Sequence, residues 1–119
     1  PVVKTSETSY TFHVMNIMAL ERETPGVTAE QFAPHLKAEA TRAWALHQAG
    51  IIRELYFDAQ HHTAVLMLEC ADAGEARQVL STLPLVEHGL ITFDVIPLVP
   101  YSGFARLFAA PQPASEDAD

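Results

Sequence analysis

The sequence predicts an α+β domain of order β-α-β-β-α-β, with two helices laid on one face of a four-stranded antiparallel sheet. Three observations carry that expectation. The apolar residues alternate between strand-like runs and helical spacing in that order along the chain. Both helical stretches open on a capping signal, Thr28 with Gln31 and Asp72 with Glu75. The two middle strands are parted by only a short polar turn, as in a hairpin. The 119-residue length suits one domain with one core.

Residues 1–9 read as an N-terminal arm, because Lys4 to Ser9 is polar. The first strand is expected over Tyr10 to Glu21, "YTFHVMNIMALE", which is apolar on both faces. Phe12, Val14, Asn16, Met18 and Leu20 alternate with His13, Met15, Ile17 and Ala19. Pro25-Gly26 marks a turn. A helix then runs from the Thr28 cap to about Ala49, where Gly50 stops it. Ile51 to Phe57 forms the second strand, Asp58-Ala59-Gln60-His61 the turn, and Thr63 to Cys70 the third strand. In the second helix Ala76, Val79, Leu80 and Leu83 keep helical spacing, and Pro84 ends it. Leu90 to Leu98 is the last strand. Residues 10–100 are therefore the domain, 101–108 ("YSGFARLF") an aromatic extension, and 109–119 a disordered acidic tail.

This order is that of the ferredoxin-like split βαβ unit, in which the first and third strands are central. The matching segments here, "FHVMNIMAL" and "TAVLMLEC", are among the most continuously apolar. Two helices cover one face of such a sheet, and the other face is apolar as well. A second copy packed sheet to sheet, in a dimeric α+β barrel, is the expected cover.

Net charge is −8 with His neutral, which disfavours nucleic acid as a partner. No apolar run approaches the roughly 18 residues needed to span a membrane. No secretory leader is visible after Pro1-Val2-Val3-Lys4. The single Cys70 excludes an internal disulfide framework and a multi-Cys metal site. A cytoplasmic location is the plain expectation. Glycine-rich phosphate loops, a Ser-His-Asp signature and a Cys-His dyad are absent.

The functional signal lies in "FAPHLKAEATRAWALH", residues 32–47. At 100° per residue from Phe32, Leu36 falls at about 40°, Ala43 at about 20° and Leu46 at about −40°. Glu39 falls at about −20°, inside that apolar stripe. His35 and His47 mark its two edges, and Lys37 points away near 140°. A carboxylate held in apolar surroundings has a raised pKa and becomes useful for proton transfer near neutral pH. The small Ala40 and Ala43 leave space for a ligand between helix and sheet. The bland alternative pairs Glu39 with Arg42 or His35, or turns it to solvent. His13 and Asn16 are the polar residues of the first strand and lie on opposite faces, so only one of them can meet Glu39. A metal set of His13, His35 and Glu39 has no tight ligand motif behind it.

Three segments, "FHV" at 12–14, "LKAEA" at 36–40 and "LPL" at 83–85 before "ITFDVIPL", resemble the muconolactone isomerase family. The likeness covers about residues 10–100. It implies a ferredoxin-like subunit in dimers or larger rings, and cofactor-free isomerisation of a small lactone. It also marks His13, Lys37 and Glu39 as motif residues. The expected enzyme acts on an enolisable carbonyl or lactone compound, with Glu39 as acid/base and His13 or His35 orienting it or stabilising enolate charge. Asn16, Lys37, Tyr101 and Arg106 are expected to contact substrate, the last two from an extension that closes a pocket on a partner subunit. A cofactor-free monooxygenase of the same barrel type and a non-catalytic ligand-binding or structural oligomer are the alternatives.

Overall fold

A computed structural model describes residues 2–4, 10–12 and 14–109. Its elements are β1 (Val2–Lys4), β2 (Tyr10–Phe12), β3 (Met15–Glu23), α1 (Ala29–Phe32), a 3-10 turn (Ala33–His35), α2 (Leu36–Gln48), β4 (Ile52–Phe57), β5 (Ala64–Cys70), α3 (Ala73–Leu80), α4 (Pro84–Glu87), β6 (Ile91–Pro97) and a second 3-10 turn (Gly103–Leu107). The large sheet has the order β4-β5-β3-β6, every pair antiparallel. The fold is α+β and ferredoxin-like, with β3 and β5 central as the sequence predicted.

The first strand differs from expectation. It enters the large sheet at Met15, opposite Cys70, the last residue of β5. Beyond that point its neighbour offers no further ladder, so Tyr10–Phe12 pairs instead with Val2–Lys4 in a two-stranded sheet. At its far end β3 runs on to Glu23, beyond the expected Glu21, because β6 continues the pairing to Glu23–Ile91.

The long helix is also divided. Thr28 caps α1 in a full capping box with Gln31, as predicted. Pro34 then has no N–H to donate, and its ring clashes with the preceding turn, so the chain tightens into a 3-10 turn before α2 begins. Phe32 therefore leaves the phase of α2 and packs with Leu85, Leu90 and Ile91. Glu39 lies beyond this break, in regular helix, and its place beside Leu36, Ala40 and Ala43 is unaffected.

Pro84 does not simply end a helix. α3 stops at Leu80, and Pro84 becomes the first residue of the separate α4, the position where a missing N–H costs nothing. Gly50 has φ +82 and Gly89 φ +73, so both reversals into strands use the left-handed region that favours glycine.

On the helix side Ile17, Ala19, Leu66 and Leu68 meet Leu46 and Leu80 in the main core. The register turns Met18, Leu20, Val65, Met67 and Ile96 to the opposite face of the sheet. Among the described residues no helix is long and apolar enough to cross a membrane.

Candidate active site

Between α2 and the sheet lies a cavity of about 410 Å³. Its roof is one stripe of α2: Leu36, Glu39, Ala40 and Ala43. Two of those four are alanine, so the helix rests on the sheet without filling the layer. The floor is Glu21 from β3, Ala64 and Leu66 from β5, and Ile91 and Phe93 from β6. Leu55 and Phe57 of β4 close one side, and Leu83 and Leu85 another. Among the described residues the lining is apolar except for two carboxylates and Tyr56 at the edge strand.

Glu39 is half-buried, and its Oε1 accepts the backbone N–H of Leu85 at 2.9 Å. Leu85 is the second residue of α4, whose own cap residue, Leu83, has no side-chain acceptor. Glu39 thus supplies from another helix the acceptor that a Ser or Asp cap would supply locally. No described residue donates to its second oxygen, so that oxygen is available to a cavity occupant. Burial raises the Glu39 pKa above its ordinary value of 4.5; the Leu85 N–H opposes the rise, and the charge of Glu21 adds to it.

Glu21 shares the cavity. Its Oε1 accepts the N–H of Ala64, the first residue of β5, at 2.6 Å. The backbone pairing of β3 with β5 ends one step earlier, at Leu20–Val65, so the side chain continues what the ladder leaves off. Glu21 was not singled out from the sequence, although a signal was present. It shares the parity of Ile17 and Ala19, and it is the only charged residue of that set within the expected strand.

The other predicted residues are dispersed. His35 is half-buried and stacks on His88 with ring centroids 4.0 Å apart, outside the cavity lining. His47 uses Nδ1 on the carbonyl of Ile52 at 2.9 Å. Asn16 is exposed on the sheet face opposite Ile17, so in this subunit it does not meet Glu39. Lys37 is exposed on the outer side of α2, in a shallow groove with Ala38 and Thr41. Tyr101 packs edge-on against Phe104, centroids 4.9 Å apart, and Arg106 lies in the second 3-10 turn. Neither lines the cavity. His13 lies outside the described residues. Arg42, a possible partner for Glu39, instead donates from Nε to Thr82 Oγ1 at 2.9 Å. Among the described residues no three His, Cys, Asp or Glu side chains cluster as a metal set would.

The muconolactone delta-isomerase family model matches residues 11–103, which include the whole large sheet and both cavity carboxylates. The chain belongs to the muconolactone delta-isomerase family. No curated relative matches it. For a member of this family, small isomerase-type chemistry is the coarse functional class. A half-buried carboxyl with a raised pKa, in an apolar cavity, is a group suited to that chemistry.

Proposed function

We propose that the protein is a cofactor-independent isomerase that moves a proton along an enolisable carbonyl or lactone compound bound between α2 and the sheet. Glu39 is the proton shuttle. As carboxylate it takes a proton from the carbon beside the carbonyl, between it and the double bond, leaving a dienolate. As carboxylic acid it returns that proton at the other end of the conjugated system, and the double bond shifts. The reaction regenerates the carboxylate, so it needs no outside oxidant or reductant. The single observation that carries this reading is Glu39 lining an apolar cavity with one oxygen anchored and the other available. Anchoring fixes the direction of the shuttle, and the raised pKa brings its acid and base forms closer to equal use.

The apolar sheet face of Met18, Leu20, Val65, Met67 and Ile96 supports a second copy packed sheet to sheet. Val99, Tyr101, Phe104, Leu107 and Phe108 are each more than two-thirds exposed, or close to it, which supports docking of that segment on the second copy. Tyr101 and Arg106 would then approach the substrate from across the interface.

The test uses a β,γ-unsaturated butenolide in D2O. The expected result is conversion to the conjugated isomer by the wild type, and loss of that conversion in Glu39→Gln with the fold retained. Full activity in Glu39→Gln would overturn the shuttle. Incorporation of labelled molecular oxygen into product would replace isomerisation by oxygenation.

A further inference from the structure

We infer that Glu21 is a positioning residue for the proton shuttle: a second carboxylate, fixed in the floor of the same apolar cavity, whose charge governs the protonation of Glu39. The inference rests on the reading of Glu39 as the shuttle and gives a role to the other carboxylate of the site.

Glu21 follows Ile17 and Ala19 on the face of β3 that meets α2, and β3 is held on both sides, by β5 and by β6. Its Oε1 accepts the Ala64 N–H at 2.6 Å, just past the end of the β3–β5 ladder. That bond holds the carboxyl at the cavity, where its charge acts across a space lined by leucine, alanine and phenylalanine. In such surroundings like charges repel more strongly than in water.

The other described titratable and charged groups around Glu39 are directed elsewhere. On its own helix, Lys37 stands on the outer side and Arg42 donates to Thr82. His35, one turn earlier, stacks on His88 at the end of α4, and Glu87 of α4 is exposed. From the sheet, Arg22 of β3 and Asp94 of β6 pair with each other on the far face, and Glu69 of β5 reaches Arg53 of β4. Tyr56 of β4 lines the cavity but donates its hydroxyl to Glu54. Burial is the largest cause holding the Glu39 carboxyl above its ordinary value; the Leu85 N–H opposes it, and the Glu21 charge adds to it. A carboxylate that holds its proton more tightly is a stronger base once ionised, and its acid form is at hand to return the proton.

The test labels the full chain with carbon-13 at the glutamate carboxyl carbons and titrates it by NMR without substrate. The Glu39 and Glu21 resonances are assigned by their disappearance in Glu39→Gln and Glu21→Gln. Glu21→Gln keeps an acceptor for the Ala64 N–H and removes the charge. In it the Glu39 midpoint is expected to move to lower pH. The acid limb of kcat/KM for the β,γ-unsaturated butenolide is expected to move with it, and the plateau to fall several-fold because the base is weaker. Glu21→Asp, which keeps the charge, is expected to hold the midpoint near that of the wild type. Charges that a second copy brings to the site are common to wild type and variant, so their difference isolates Glu21. A Glu39 midpoint that does not move in Glu21→Gln overturns the inference. So does a wild-type titration in which Glu21 ionises at higher pH than Glu39, a reading that needs no variant. A shifted midpoint without turnover sinks the isomerase reading while the coupling stands, and turnover with an unmoved midpoint sinks the coupling alone.

Discussion

Ile17, Leu46, Leu68 and Leu80 meet with no more than 3% of any of them exposed, while Glu21, Ala40, Ala43 and Ala64 surround empty volume. The two groups lie on largely the same elements. β3 contributes Ile17 to one and Glu21 to the other, α2 contributes Leu46 and then Ala40 and Ala43, and β5 contributes Leu68 and then Ala64. Backbone geometry therefore does not distinguish the filled half of the layer from the hollow half. Side-chain volume does. Leucine across from leucine packs to interior density, whereas alanine across from alanine leaves the helix held off the sheet by its neighbours. The filled half secures the spacing that the hollow half uses.

That contrast can be broken from either side. The largest effect is expected for Glu39→Gln, with turnover of a cavity substrate falling by about 10²–10⁴-fold, the usual share of a general acid–base group. Steady-state rates on the β,γ-unsaturated butenolide check it, with circular dichroism to confirm the fold. In the filled half, Leu46→Ala should cost about 2–5 kcal/mol of stability through lost transfer energy and a new void. Its urea midpoint should fall accordingly. In the hollow half, Ala43→Leu should behave in the opposite manner, blocking ligand binding while costing less than Leu46→Ala, because its added volume enters space already empty. A midpoint drop as large as that of Leu46→Ala would mean that no cavity exists beneath α2.

A smaller effect separates the two halves by pH. Glu39 has a folded pKa above 4.5, so its contribution to stability is fully present below 4.5 and is lost as pH rises through the folded value. The wild type should therefore lose stability relative to Glu39→Gln as pH is raised across that window, read as diverging urea midpoints. Activity should run the other way, rising as Glu39 ionises. The smallest effect is at Cys70, buried at the end of β5, where burial pushes the thiol up to about 11. Native protein at neutral pH should react slowly with iodoacetamide and become fully reactive on unfolding.

The element order was legible in the sequence because both caps, Thr28 and Asp72, and the switch of apolar period are local signals. Glu39 was legible for the same reason: the turns of α2 define a face, and one residue on it is charged. Its partner was not, since the Leu85 N–H lies 46 residues away and only the tertiary fold brings it near. Pro34 shows how a single local rule shifts a whole pattern. A wheel started at Phe32 assumes unbroken α-helix, and the 3-10 turn takes Phe32 and His35 out of the phase of α2. The pairing of Tyr10–Phe12 with Val2–Lys4 depends on where β5 ends, which periodicity in β2 and β3 does not encode. Glu21 could have been found by parity. At the expected end of a strand a charged residue reads as solvated, and only the continuation of β3 to Glu23 places it over the sheet.

The bond from Leu85 N–H to Glu39 also makes one backbone proton a gauge of the site. An amide that donates to a carboxylate is deshielded, and loses much of that deshielding when the carboxyl takes up a proton. The Leu85 resonance should therefore trace the charge on Glu39 through a pH titration, and should move again when a ligand draws on the second oxygen. Occupancy and ionisation of the cavity can be followed in solution from a leucine that carries no chemistry of its own.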